Sequence, residues 1–194
     1  MKTLWIATGN PHKTEEFQQM LGDDVQIKTL KDLPAGLRPE IVEDGTTFEE
    51  NALIKARSLY DLVHEPVMAD DSGLEVDALN KAPGIYSARF MGEDTFYDIK
   101  NQAILDAVEG KDRTARFVCA IAWIDENGKE RVYRGTMEGF IHDRIEGRHG
   151  FGYDPIFYYP PFQTTSANVD PEVKNSASHR HNALVLLEKD WNKK

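Results

Sequence analysis

Strand and helix signals that alternate through the first half of the chain, followed by a hairpin signal, predict a mixed α/β fold. Three observations carry this reading. A short apolar run, Leu4-Trp5-Ile6-Ala7, leads into a glycine turn and the helix start Asn10-Pro11. A capped amphipathic helix then precedes a second apolar run at Val67-Met68-Ala69. Farther on, Glu126-Asn127-Gly128-Lys129 separates two strand-like runs with the residues a hairpin turn uses, so the sheet is not purely parallel.

In chain order, Leu4 to Ala7 reads as a buried strand ending in Thr8-Gly9-Asn10, and the next helix buries Phe17, Met20 and Leu21. Thr47-Phe48-Glu49-Glu50 fits a capping box, with Thr47 as the cap and Glu50 reaching back. Phe48, Ala52, Ala56, Leu59 and Val63 follow at helical spacing. Pro66 stops that helix, and the strand begun at Val67 is expected to end at Asp70-Asp71-Ser72-Gly73. Residues 94–108 read as a helix, and 115–125 and 131–138 as strands. A last helix begins near Ser176 to Ser178 and turns Ala183, Leu184 and Leu187 inward. No repeat, low-complexity tract or linker divides the 194 residues, which are read as a single domain over 1–194.

Composition excludes several classes. With 33 acidic and 23 basic residues the formal net charge is −10, which argues against a general nucleic-acid binder. A small anionic ligand requires cations gathered in one place. The single cysteine, Cys119, excludes an internal disulfide and a cysteine-based zinc site, and its apolar strand suits a core role. No apolar run approaches the ~20 residues of a membrane span, and the first residues, MKTLWIATGNPHK, lack a signal-peptide core. These features predict a cytoplasmic protein without membrane or nucleic-acid partners.

Four polar clusters lie at element ends, where open α/β sheets bind ligands. Thr8-Gly9-Asn10-Pro11-His12-Lys13 joins a strand, a glycine turn and a helix N-terminus, which suits a phosphate; the plain alternative is a capped turn. In Ala69-Asp70-Asp71-Ser72-Gly73, strand alternation points the two aspartates to opposite faces. One can hold Mg²⁺ or take a proton from water, or both can sit in a solvated turn before the glycine. Glu40 to Gly45 reads as a polar loop, and Lys55 most simply as a solvated surface charge. The fourth cluster is Gly150-Phe151-Gly152-Tyr153-Asp154-Pro155 with Lys174 and Ser178-His179-Arg180-His181. Phe151 offers either a ring face for stacking or a core side chain in a bulged strand.

Taken together, TGNPHK (8–13), FEENALIKAR (48–57), ADDSGLEVDAL (69–79), PGIYSARF (83–90), GFGYDPIF (150–157) and SHR (178–180) resemble the inosine triphosphate pyrophosphatase family, from residue 3 to about residue 187. The resemblance implies a long, bent mixed sheet flanked by helices, with two lobes and a central substrate cleft. It further implies a cytoplasmic, homodimeric, Mg²⁺-dependent enzyme that converts ITP, dITP and XTP to the monophosphate and pyrophosphate. On this resemblance, Thr8, Gly9, Asn10, Pro11, His12 and Lys13 hold the phosphates, Lys55 adds positive charge there, and Ser72 contacts the substrate. Asp71 is the proton acceptor and a metal ligand, and Glu43 the second acidic ligand. Phe151, Gly152, Tyr153 and Asp154 form the base segment, Lys174 contacts triphosphate or base, and His179 with Arg180 reads the base. In that role Arg180 donates to purine O6, while guanine is refused by packing around residues 150–154. His181 stands where the family commonly carries glycine, and Arg148-His149 where small residues are usual. Two other readings remain open: a Maf-like nucleotide pyrophosphatase with another base preference, and a catalytically silent nucleotide-binding protein.

Overall fold

The first apolar run forms β1 (Lys2–Ile6), with Leu4, Trp5 and Ile6 buried. In this computed structural model, which describes residues 2–191, β1 pairs in parallel with β2 (Val25–Thr29) and with β3 (Val67–Val76). The later strands are β4 (Thr114–Ile124), β5 (Glu130–Ile141), β6 (Phe157–Tyr159) and β7 (Thr164–Thr165). β6 runs antiparallel to both β5 and β7, so the seven-stranded sheet, ordered β2-β1-β3-β4-β5-β6-β7, is mixed as predicted. The α-helices among the described residues are α1 (Pro11–Leu21), α2 (Phe48–Val63), α3 (Tyr97–Ala107), α4 (Pro171–Asn175) and α5 (His179–Trp191). None of them is long and apolar enough to cross a membrane.

The chain divides into two compact units. The first takes in the chain up to Asp71, Cys119–Gly135 and the chain from Arg180 onward. Its core gathers Leu4, Ile6, Phe17, Met68, Ile121 and Leu184, with Cys119 among them. The second comprises Ser72–Val118 and Thr136–His179 and packs Leu74, Val76, Ile104, Phe117, Ile156 and Phe157. Both cores draw on branched strand residues and on the apolar stripes of helices.

Local chemistry explains the element ends. Asn10 caps α1 by accepting from the His12 N–H at 3.0 Å, with Pro11 at the first helical position. Thr47 caps α2 by accepting from the Glu50 N–H at 3.1 Å. The Glu50 carboxylate reaches back as expected but to Thr46, accepting from its N–H at 2.6 Å and its hydroxyl at 2.9 Å. His64, left-handed at φ 49°, ends α2 before Pro66.

Three expectations are corrected. β3 does not end at Asp70 to Gly73 but runs through to Val76. Aspartates signal turns when solvated; here the Asp70 carboxylate is buried against Lys13 and Arg180, and the backbone stays extended. The helix expected from Asp94 begins at Tyr97, because the preceding residues are spent on a turn in which the Thr95 hydroxyl donates to the Met91 carbonyl at 2.6 Å. Residues 150–153 form no strand, bulged or otherwise, and Phe151 is only half-buried. A Cβ on Gly150 would lie 2.2 Å from Asp154 Oδ2, at φ 72°, so this turn closes over the Asp154 carboxylate only with glycine there.

Candidate active site

In the first unit, the turn between β1 and α1 carries Thr8 to Lys13. The Thr8 hydroxyl accepts from the Asn10 N–H at 3.1 Å, so threonine and asparagine side chains fold the turn onto itself. A pocket of about 370 Å³ opens beside it, lined by Thr8, Gly9 and Pro11, by Thr14, Glu15 and Gln18 of α1, and by Thr29 and Lys31. Pro11 and His12 are exposed, whereas Lys13 is directed onto β3.

The two aspartates of β3 meet different partners, in keeping with strand alternation. Asp70 is buried, with Oδ2 2.8 Å from Lys13 Nζ and 3.4 Å from Arg180 Nη2. Burial alone would raise its carboxyl, but the charges of Lys13, Arg180 and Lys55 outweigh that and hold it well below the usual carboxylate range. Asp71 goes the other way: burial raises its carboxyl above the ordinary value, against the pull of Lys55 and Lys13 and with the added repulsion of Glu43 and Asp70. Its Oδ2 is buried without a hydrogen-bond partner among the described residues. The other oxygen, Oδ1, lies 3.6 Å from Lys55 Nζ, which itself stands 2.6 Å from Glu43 Oε1.

Lys55 is therefore no solvated surface charge. Its side chain is 14% exposed and sits among carboxylates. Burial would lower its pKa, yet Asp70, Asp71 and Glu43 together raise it above the usual lysine value. Oxygen donors of this kind suit a hard cation such as Mg²⁺, which keeps several waters and takes the rest from phosphates. Glu43 and Asp71, both near the Lys55 ammonium, are the carboxylates that would hold such an ion, Asp71 Oδ2 being buried without a hydrogen-bond partner among the described residues.

Arg180 belongs to the first unit. It is 1% exposed, and its guanidinium forms ion pairs with Glu16 and Asp70 over the ring of Phe17. Successive residues at the start of a helix diverge by about 100°, so His179 and Arg180 leave α5 in different directions. His179 belongs to the second unit, where it stacks on Phe117 with ring centroids 4.8 Å apart. Glu16 was missed by the sequence reading. It follows Lys13 by three positions, one helical turn along the same face of α1, which was the available signal.

The remaining expected residues lie in the second unit. Asp154 Oδ2 accepts from the Phe151 N–H at 3.0 Å and from Lys174 Nζ at 2.7 Å, both charged side chains being almost fully buried. The Lys174 ammonium stands 4.9 Å from the Phe151 ring centroid. Asn101 donates to the Gly152 carbonyl at 3.1 Å, and the Tyr153 hydroxyl to the Ser87 carbonyl at 2.6 Å. Burial pushes the Tyr153 phenol well above its ordinary value, so it remains a donor. Asn101 and Ser87 carried no sequence signal, since their contacts span 51 and 66 residues. Ser72 is half-buried on β3.

A mixed sheet with a strand–turn–helix element, buried lysines and an aspartate oxygen without a hydrogen-bond partner among the described residues is an arrangement that suits enzymes of phosphorylated substrates. The chain belongs to the Ham1 family, whose model matches residues 4–190. It is 44% identical over 194 residues to the dITP/XTP pyrophosphatase of Oceanobacillus iheyensis, covering 97% of this chain and 98% of that one. It is 46% identical over 186 residues to the dITP/XTP pyrophosphatase of Thermoanaerobacter pseudethanolicus, covering 94% and 92%. Among solved structures, a HAM1 protein from Coxiella burnetii superposes with a TM-score of 0.88 at 38% identity over the whole of both chains. The Ham1 protein of Staphylococcus aureus gives the same score and identity over 99% of each.

Proposed function

We propose that the chain hydrolyses dITP, ITP and XTP to the monophosphate and pyrophosphate, removing deaminated purines from the nucleotide pool of the cytoplasm as a single catalytic domain over residues 1–194. Relatives named for dITP and XTP at 44–46% identity over nearly the full length support the substrate class. The observation that carries the chemistry is Asp71 Oδ2, a buried carboxylate oxygen with no hydrogen-bond partner among the described residues.

In this reading the triphosphate is drawn to the turn from Thr8 to Lys13 and to Lys55, with Ser72 as a further contact. Asp71 accepts a proton as a water oxygen bonds to the α-phosphorus. The bond from that phosphorus to the bridging oxygen breaks, and its electron pair leaves with pyrophosphate. Glu43 and Asp71 would hold Mg²⁺, whose chemistry when bound is to neutralise charge on the phosphate oxygens. The base is read by the Phe151 ring face and by Gly152, Tyr153, Asp154, Lys174 and His179. Arg180 acts through Asp70, as their ion pair supports. The active form is a homodimer, a reading supported by the exposed apolar side chains Tyr86, Met91, Phe96 and Ile99 of the second unit.

A nucleotide panel with Mg²⁺, scored by product, tests this. ITP and XTP should yield monophosphate and pyrophosphate, with ATP and GTP far slower; inosine diphosphate as the sole product, or equal rates on ITP and GTP, would contradict it.

A further inference from the structure

Lys55 stands where a cation between Glu43 and Asp71 would stand. Its ammonium is 2.6 Å from Glu43 Oε1 and 3.6 Å from Asp71 Oδ1, on a side chain only 14% exposed. We propose that Lys55 is a built-in counter-cation of the metal site, competing with the divalent ion for Glu43 and Asp71 until the ion arrives with its nucleotide. The proposal rests on the metal role assigned above to those two carboxylates.

Two carboxylates turned toward one point repel each other, and partial burial weakens the screening that water would give. Lys55 relieves that repulsion in the metal-free protein. Its anchor lies within α2, a regular helix capped by Thr47, so the backbone end is fixed. The charge itself sits on a flexible four-carbon stem and can swing. Mg²⁺ binds carboxylate oxygens at roughly 2.0–2.1 Å, too close to share a position with an ammonium. An ion held by these two carboxylates would therefore compete with the Lys55 ammonium for Glu43 Oε1 and Asp71 Oδ1. The freed ammonium then has anionic phosphate oxygens as its available partners. The arrangement keeps affinity for the bare ion low and makes metal and nucleotide bind as one unit.

Binding of Mn²⁺ alone, without nucleotide, tests this by electron paramagnetic resonance on the full chain. Lys55→Met removes the competing charge and should bind Mn²⁺ about tenfold more tightly than wild type or better, while Asp71→Asn should bind it more weakly. Thermal denaturation supplies a second readout: Mn²⁺ should raise the Tm of Lys55→Met more than that of wild type. Should Lys55→Met fold poorly, Lys55→Gln keeps the stem length and polarity and is expected to behave alike. Unchanged or weaker Mn²⁺ binding in the Lys55 variants, with Asp71→Asn still weakened, would overturn the competition while leaving the metal site standing. Equal binding in wild type, the Lys55 variants and Asp71→Asn would overturn both.

Discussion

Asp70 and Asp71 are neighbours with the same side chain and opposite environments, and their substitution should separate rate from stability. Asp71→Asn removes the proton acceptor and should lower kcat by about 10²–10⁴ with little change in unfolding free energy. Asp70→Asn strips Lys13 and Arg180 of a buried partner and should cost roughly 3–5 kcal/mol of stability, read by urea denaturation. Because the folded Asp70 carboxyl is held low, its contribution is present at every pH above its unfolded value near 4 and is lost only as pH falls toward the folded one. The stability gap between wild type and Asp70→Asn should thus be flat across neutral pH and narrow below about pH 4. Arg180, paired with Glu16 and Asp70 in the first unit, should behave likewise. Arg180→Ala is expected to reduce stability and to slow every nucleotide alike, and a collapse of the ITP/ATP rate ratio would instead return Arg180 to the base. Alternation along a strand made the divergence of the two aspartates legible in sequence. The partners were not, because the Asp70–Arg180 pair spans 110 residues and no local pattern encodes it.

Elements were legible where their ends carry side-chain chemistry. Asn10-Pro11 and Thr47 mark helix starts by hydrogen bonds that a sequence displays, and both helices begin there. β3 ran on past its expected end because Asp and Gly signal a turn only when the carboxylate is solvated. The short strands β6 and β7 and the five-residue α4 lack the length for a period to appear. The turn at 150–154 was legible as an unusual segment, but not its cause, a single carboxylate that holds the Phe151 backbone and the Lys174 ammonium. Gly150→Ala tests that cause. It forces a side chain into positive φ and against Asp154, and should destabilise the protein by at least about 1–2 kcal/mol. If the turn also sets the pose of Phe151, KM for ITP should rise more than kcat falls; an unchanged KM in folded protein would detach the turn from base binding.

Over the whole molecule, a net charge of −10 coexists with a local gathering of cations, Lys13, Lys55 and Arg180 of the first unit, each paired with carboxylates. Composition shows the net charge but not this gathering, which depends on α1, α2 and α5 each presenting one cation near β3. The exposed apolar side chains of the second unit bear on assembly. The proposed dimer would bury Phe96, which is 79% exposed in the single chain. Sedimentation should find a dimer for wild type and a shift to monomer for Phe96→Glu; a wild-type monomer would contradict the dimer outright. Hydrolysis of ITP in ¹⁸O-labelled water reports directly where water attacks. Attack at the α-phosphorus, with Asp71 as base, predicts one labelled oxygen in the inosine monophosphate and none in the pyrophosphate. Label in pyrophosphate, or in inorganic phosphate released beside inosine diphosphate, would contradict the account.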